Sequence, residues 1–377
     1  MSPSPRQLFS TVTEDHELVL SIEPLTVPEP GPDEIVVQVQ ASPINPSDLG
    51  VLVGPADLST ARRGELNGHP ALIASLHAAA RHFAAGRVGA KLSVGNEGAG
   101  VVVAAGSSDS AQALIGKTVT AVGGAMYRTH RVLHARQALS LPDGAAAAEG
   151  ASLFVNPMTV QAFLETMQNE GHKAIVHTAA ASNLGQMLAK HCSKEGVPLV
   201  AIVRRETQRT LLEGLGVPQV VDSSTETFFE DLVQALVASE ATLCFDAIGG
   251  GDMANIVLTA MEVALKRRGI PADLYGAPVH KQVYQYGRLD TGPTKLTPAY
   301  GMYWGVGGWL LTPRLGSLGH KRTLQMRRYA IEERNGIFAS RYARTVGLDD
   351  LLDPDTLRAI DRKATDAKVL VDPSLTR

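Results

Sequence analysis

The stretch KAIVHTAAASNLGQMLAKHCSKEGVPLVAIVRR, from Lys173 to Arg205, carries two features suited to holding a pyrophosphate and its sugar. The first is a run of small residues, Ala179, Ala180, Ala181, Ser182, Asn183 and Leu184, ahead of Gly185. The usual glycine fingerprint of dinucleotide sites is reduced here to A-x-x-S-x-x-G, with Ala179 and Ser182 in the two earlier places and only Gly185 retained. Small side chains still let the backbone approach a phosphate, and Ser182 adds a hydroxyl able to donate to it; an alanine-rich turn also serves plain packing. The second feature is Arg204 with Arg205, about twenty residues past the turn, where NAD sites carry an Asp or Glu for the ribose 2′-hydroxyl. Guanidinium groups there would pair bidentately with a 2′-phosphate, which predicts NADP(H) over NAD(H); the alternative is a basic strand end facing water.

Such groups need a strand, a turn, a helix and a second strand to position them. The pattern supplies a buried strand over 174–177, a turn over 178–184, a helix over 185–194 and a strand over 199–203. Downstream, RETQRTLLEGLG reads as a helix, VPQVVDSS as a strand, TFFEDLVQALVAS as a helix and ATLCFDAIGGG as a strand entering a glycine loop. Further on, 260–268 reads as helical, 282–287 as a strand and YWGVGGWLL as a last strand. Strands and helices alternating at this spacing predict an α/β fold with a doubly wound parallel sheet, whose ligands sit at the strand C-termini.

The first third has a different texture. Short β-type runs alternate with proline-rich turns, and Ile35, Val37 and Val39 fall on one face at period two. They lead into the polar loop Asn45, Pro46, Ser47, Asp48. Leu72, Leu76, Ala79 or Ala80, and Phe83 recur at helical spacing, so a helical insert is expected over about 69–86. His69, His77 and His82 lie in this region without a carboxylate at ligand spacing and are read as solvated; no metal is expected. Glycines 95, 98 and 100 mark a sharp turn at the mouth of another strand.

The chain of 377 residues is long enough for two domains, and 44% hydrophobic content fills both cores. A net charge of −3 argues against bulk nucleic-acid or membrane binding. Cys192 and Cys244 form no disulfide framework and suit a reducing cytosol; with no signal peptide or apolar run of spanning length recognised, a cytoplasmic protein is expected.

At Asn45-Pro46-Ser47-Asp48, Gly95-Asn96-Glu97-Gly98-Ala99-Gly100 and the AAASNLGQ turn, in that order, the sequence resembles the medium-chain dehydrogenase/reductase superfamily. The likeness is to its zinc-free branch of quinone oxidoreductases and enoyl-thioester reductases and covers nearly the whole chain, including the closing ATDAKVLVDP. The resemblance implies a GroES-like catalytic β domain from both chain ends, 1–155 and 313–377, around a Rossmann domain over 156–312. It also implies cofactor contacts from Asn45, Thr159, the 179–184 turn, Arg204, Arg205, Ile248, Gly249, Tyr286 and Gly287. Zinc alcohol dehydrogenases have a histidine ligand where this chain has Asn96, and their early-loop cysteine and four-cysteine lobe are missing. The tyrosine that many relatives place soon after N-P-S-D is also missing, since Leu49 to Pro55 contains none.

The resulting expectation is an NADPH-dependent reductase that delivers hydride, without a metal, to a quinone or an α,β-unsaturated carbonyl or thioester. Asn45 is the candidate to polarise the acceptor carbonyl, or else a turn residue, and Tyr127, Tyr303 or a water the candidate proton source. Tyr303 and Trp304 would line an acceptor pocket or, on a glycine-punctuated apolar strand, a homodimer interface. The alternative function is an NADPH-binding sensor or interaction protein with little catalytic activity.

Overall fold

The structure is a computed structural model that describes residues 4–54, 56–297, 299–362 and 368–375. The chain divides into two compact units, one of Met1–Val155 with Arg328–Arg377 and the other of Asn156–Arg327. Helix Leu311–Glu332, broken at Gly319 (φ 79, ψ 166), runs through residue 313, the boundary expected from the sequence.

The Asn156–Arg327 unit is built on a six-stranded parallel sheet. In spatial order its strands are Gln219–Asp222, Leu199–Val203, Ile175–His177, Leu243–Asp246, Lys281–Gln285 and Trp304–Gly308. The first strand in sequence therefore lies at the centre, with later strands added outward on both sides. This is the doubly wound order, and it places the topological switch between Ile175–His177 and Leu243–Asp246. Val176 pairs with Val200 on one side and Cys244 on the other, and all three are buried, as parallel strands covered on both faces must be. Helices Asn183–Glu195 and Met253–Arg267 extend further than their sequence patterns indicated.

The other unit holds two mainly antiparallel sheets. The longer joins Glu34–Pro43 to Glu97–Ala105 and, near the other chain end, to Val369–Val371. Ile35, Val37 and Val39 pack with Val102, Val119 and Leu133 in one cluster. The N-terminal and C-terminal segments thus share a sheet, as the resemblance implied. Of the closing ATDAKVLVDP, residues 364–367 lie outside the described residues.

The expected helical insert over 69–86 is not one helix. His69–Ser75 is a strand paired with Glu17–Pro24 and with Arg62–Leu66, and only the short turns Ala78–Ala80, Arg81–Ala84 and Ala85–Arg87 are helical. The reason lies just before it. Asn67 and Gly68 both have positive φ (52° and 79°) and form the two-residue connection of a hairpin, a turn chemistry that overrides the accidental helical spacing of Leu72 and Leu76.

Candidate active site

The turn after Ile175–His177 is held against the second strand, where the Ala180 N–H donates to Ile202 O at 3.1 Å. Ala179 is left-handed (φ 50), a conformation that costs a non-glycine residue about 1–2 kcal/mol. Ser182 caps helix Asn183–Glu195, its Oγ accepting from the Gly185 N–H at 3.2 Å. A Cβ on Gly185 would stand 2.1 Å from Ala180 O, so only glycine lets the helix seat this closely on the turn. The first N–H groups of the helix point out of its N-terminus, the standard geometry for receiving an anion. Ala180 and Ala181 are buried in the turn, while Ser182, Asn183 and Leu184 are half-buried, with Asn183 Oδ1 accepting from Asn156 Nδ2 at 2.9 Å.

Strand Leu199–Val203 ends in the exposed Arg204 and Arg205. Arg204 is tied through its backbone N–H to Gln208 Oε1 (3.0 Å), and Arg205 is the N-cap residue of helix Glu206–Gly214. Neighbouring Glu206 leans to Arg209 instead (3.5 Å). Neither Arg204 nor Arg205 has an ion pair among the described residues. The donor set fits a phosphorylated ribose: two free guanidinium groups and no carboxylate bonded to them.

Across the switch point, Thr178 Oγ1 donates to Asp246 Oδ1 (2.7 Å) and accepts from the Ala247 N–H (2.8 Å). Asp246 also accepts from the N–H groups of Ile248 (2.9 Å) and Gly249 (3.0 Å). This clasp fixes the glycine loop, which does not stay a loop but forms the short strand Gly249–Gly251 against Asp290–Thr294. Gly287 lies so close that a Cβ would meet Ala247 O at 2.6 Å. Thr178 and Asp246 escape sequence reasoning; their signal is a Thr and an Asp, each at the C-terminal end of one of two strands that prove to be neighbours.

Tyr286 is turned inward. Its Oη lies 2.7 Å from His177 Nε2, and Phe163 packs edge-on against its ring. Burial drives the His177 imidazole down to about 3, so it is neutral, and pushes the Tyr286 phenol up. Thr159, expected against the cofactor, is buried in helix Val155–Asn169. Tyr303, 55% exposed, stands by the edge strand with its ring 4.9 Å from that of His280.

In the other unit, the 45–48 loop opens helix Pro46–Leu52. Asn45 is 1% exposed and donates through Nδ2 to Glu97 Oε1 (2.8 Å). Its Oδ1 is buried without a hydrogen-bond partner among the described residues. Asp48 accepts from the Asn45 N–H (2.9 Å) and the Asn96 N–H (2.8 Å), and Asn96 Nδ2 reaches Ser47 Oγ (3.0 Å). Glu97 Oε2 takes the N–H groups of Phe154 (2.7 Å) and Val155 (3.0 Å). Tyr127, also 1% exposed, donates to Pro43 O (3.1 Å); burial, with the charges of Asp48 and Glu97, raises its phenol well above the ordinary value. Both Asn45 and Tyr127 are thus engaged inside the fold.

No protein-family model matches the sequence. The chain is 25% identical over 239 residues to the synaptic vesicle membrane protein VAT-1 homolog of Rattus norvegicus, covering 63% of this chain and 52% of that protein. It spans about half the length of such curated relatives. Among solved structures, the CurK enoyl reductase superposes with a TM-score of 0.69 at 16% identity, covering 98% of this chain and 99% of that one. Escherichia coli quinone oxidoreductase complexed with NADPH gives 0.68 at 18% identity, covering 98% and 100%. No helix among the described residues is long and apolar enough to cross a membrane. The chain has the fold of the medium-chain dehydrogenase/reductase proteins, in the form shared by quinone oxidoreductases and enoyl reductases.

Proposed function

We propose that this protein is an NADPH-dependent reductase that transfers hydride to a quinone or to a carbon–carbon double bond conjugated to a carbonyl or thioester. The observation that carries the reading is the pair Arg204 and Arg205, exposed and without ion pairs among the described residues, beside the 179–184 turn. The turn and the helix start at Asn183 would take the pyrophosphate through backbone N–H groups and Ser182, and the two guanidinium groups the 2′-phosphate. Bound NADPH supplies the hydride. The chain's part is to fix the acceptor, exclude water and meet negative charge developing on the acceptor oxygen with neutral donors, while a proton completes the reduced product.

With the Asn45 amide bonded to Glu97 and the Tyr127 hydroxyl to Pro43, neither candidate is free to donate in this conformation. Of the expected proton sources this leaves Tyr303 and water. The same two engagements favour a second reading, an NADPH-binding sensor with little catalysis. A homodimer is proposed through the open edge of strand Trp304–Gly308, flanked by Leu274, Met302 and Leu310 at 92%, 73% and 67% exposure.

The test is to mix the protein with NADPH and a panel of quinones and enones and to follow loss of the cofactor's near-ultraviolet absorbance. Turnover with at least one acceptor is expected. Tight NADPH binding without turnover on any acceptor would select the sensor, and absence of NADPH binding would refute both readings.

A further inference from the structure

The segment that follows strand Glu17–Pro24 and the strand His130–His134 enclose a cavity of about 110 Å³. At roughly 30 Å³ per water, such a space takes a few waters or one small anion. Leu25, Val27 and Val132 give it an apolar wall, and Arg128, His130 and Arg131 line the rest. These three basic residues are half-buried, so the space is reached from solvent. The chain carries a net charge of −3, yet no carboxylate stands in this lining.

The backbone that carries these groups is fixed. Strand His130–His134 pairs with Glu34–Pro43, the Thr129 N–H donates to Arg6 O (3.0 Å), and the Arg6 N–H donates to Thr129 Oγ1 (3.1 Å). On the facing wall the Leu25 N–H donates to Pro5 O (2.8 Å). The basic side chains, in contrast, keep donors to spare. Of the five N–H groups of a guanidinium, Arg128 uses one, on Ser93 Oγ (3.2 Å), and Arg131 two, on Gly124 O (3.2 Å) and Val132 O (2.7 Å). His130 sets Nδ1 3.1 Å from Thr129 Oγ1, which leaves Nε2 for another partner. Among the described residues neither arginine has an ion pair. Arg131 feels the charge of Glu34, whose Oε2 already accepts the Gly31 N–H (2.9 Å). Burial, together with the neighbouring Arg131 charge, pulls the Arg128 guanidinium down to about 10. Two like charges held on rigid strands without a carboxylate between them are relieved by an anion in the space they line.

We propose that this cavity binds a small organic anion, its carboxylate or phosphate group held by Arg128 with His130 in the field of Arg131, and its short apolar tail laid on Leu25, Val27 and Val132. The site stands independently of the reductase reading.

The probes are butyrate and propyl phosphate, their tailless parents acetate and inorganic phosphate, and neutral butanamide, each titrated calorimetrically into the full chain. Wild type is compared with Arg128→Met and, to separate anions lodged at the cofactor turn, with Arg204→Ala/Arg205→Ala. At least one tailed anion should saturate wild type, more tightly than its parent by about fourfold for each methylene that is buried. Butanamide should bind at least about tenfold more weakly, and Arg128→Met should weaken the anion by at least about tenfold, whereas Arg204→Ala/Arg205→Ala should leave it unchanged. Butyrate binding alone supports the site and assigns a carboxylate head; propyl phosphate alone supports it and assigns a phosphate. Should Arg128→Met not fold, hydrogen exchange in wild type decides: the tailed anion must slow exchange over 25–27 and 128–132. Failure of both tailed anions to saturate wild type, undiminished binding in Arg128→Met, a parent or butanamide as tight as the tailed anion, or protection confined to other segments overturns the proposal.

Discussion

Replacing Gly185 with alanine adds one methyl group at the tightest point of the candidate cofactor turn. The new Cβ would stand 2.1 Å from Ala180 O, 2.6 Å from its carbonyl carbon and 2.9 Å from its Cα. All three are backbone atoms of a turn tied to Ile202, so no side chain can swing away; the helix start must move by roughly 1 Å to restore ordinary contact. Overpacking of this kind costs about 1–3 kcal/mol, and the upper end applies where backbone opposes backbone. The displaced helix start also loses its aim at the pyrophosphate, so NADPH affinity should fall by at least about tenfold. The control is Gly214→Ala, in helix Glu206–Gly214, where the added Cβ meets nothing within 4 Å. It should be neutral or stabilising by about 0.5–1 kcal/mol. Denaturant unfolding gives the stability of both variants, and fluorescence titration gives the NADPH affinity. A Gly185→Ala protein as stable as wild type, with NADPH affinity within about twofold, would refute the close-approach argument.

Two further predictions concern buried charge. Lys281 Nζ pairs with Glu262 Oε2 at 2.9 Å with both side chains almost wholly buried, so Lys281→Met, which strands the carboxylate, should cost about 3–5 kcal/mol in denaturant unfolding. Lys266, 3.3 Å from the other oxygen, would bring the loss toward the lower end. Asp48, with its carboxyl raised to about 7, favours the folded state while protonated. Its contribution is complete below the ordinary aspartate range and is lost as pH rises toward about 7, so the stability of wild type should fall across that window more steeply than that of Asp48→Asn.

The doubly wound sheet is legible in the sequence because its strands carry short buried apolar runs separated by helices at regular spacing. Val176, Val200 and Cys244 become one buried layer in the way such runs require. Gly185 also announces itself, as the one glycine kept in an alanine-rich turn. The hairpin across residues 62–75 is signalled only by Asn67-Gly68, and the helical spacing of Leu72 and Leu76 masks it. The clasp between Thr178 and Asp246 and the bonding of the 45–48 loop to Asn96 and Glu97 are not legible at all. Their members are separated by 68 residues in the first case and by 48 and 52 in the second, so only the fold brings them together. Asn45 shows the same limit: its residue type suggests a donor to substrate, whereas its partner Glu97, 52 positions away, claims the amide.

The most direct test of the central claim is a titration of NADPH and NADH into wild type and into Arg204→Ala/Arg205→Ala. Loss of charge-assisted contacts to the 2′-phosphate should weaken NADPH by about 1.5–3 kcal/mol, roughly 10- to 150-fold, and leave NADH nearly unchanged. Equal weakening of both cofactors, or a wild type that binds NADH as tightly as NADPH, would contradict the account.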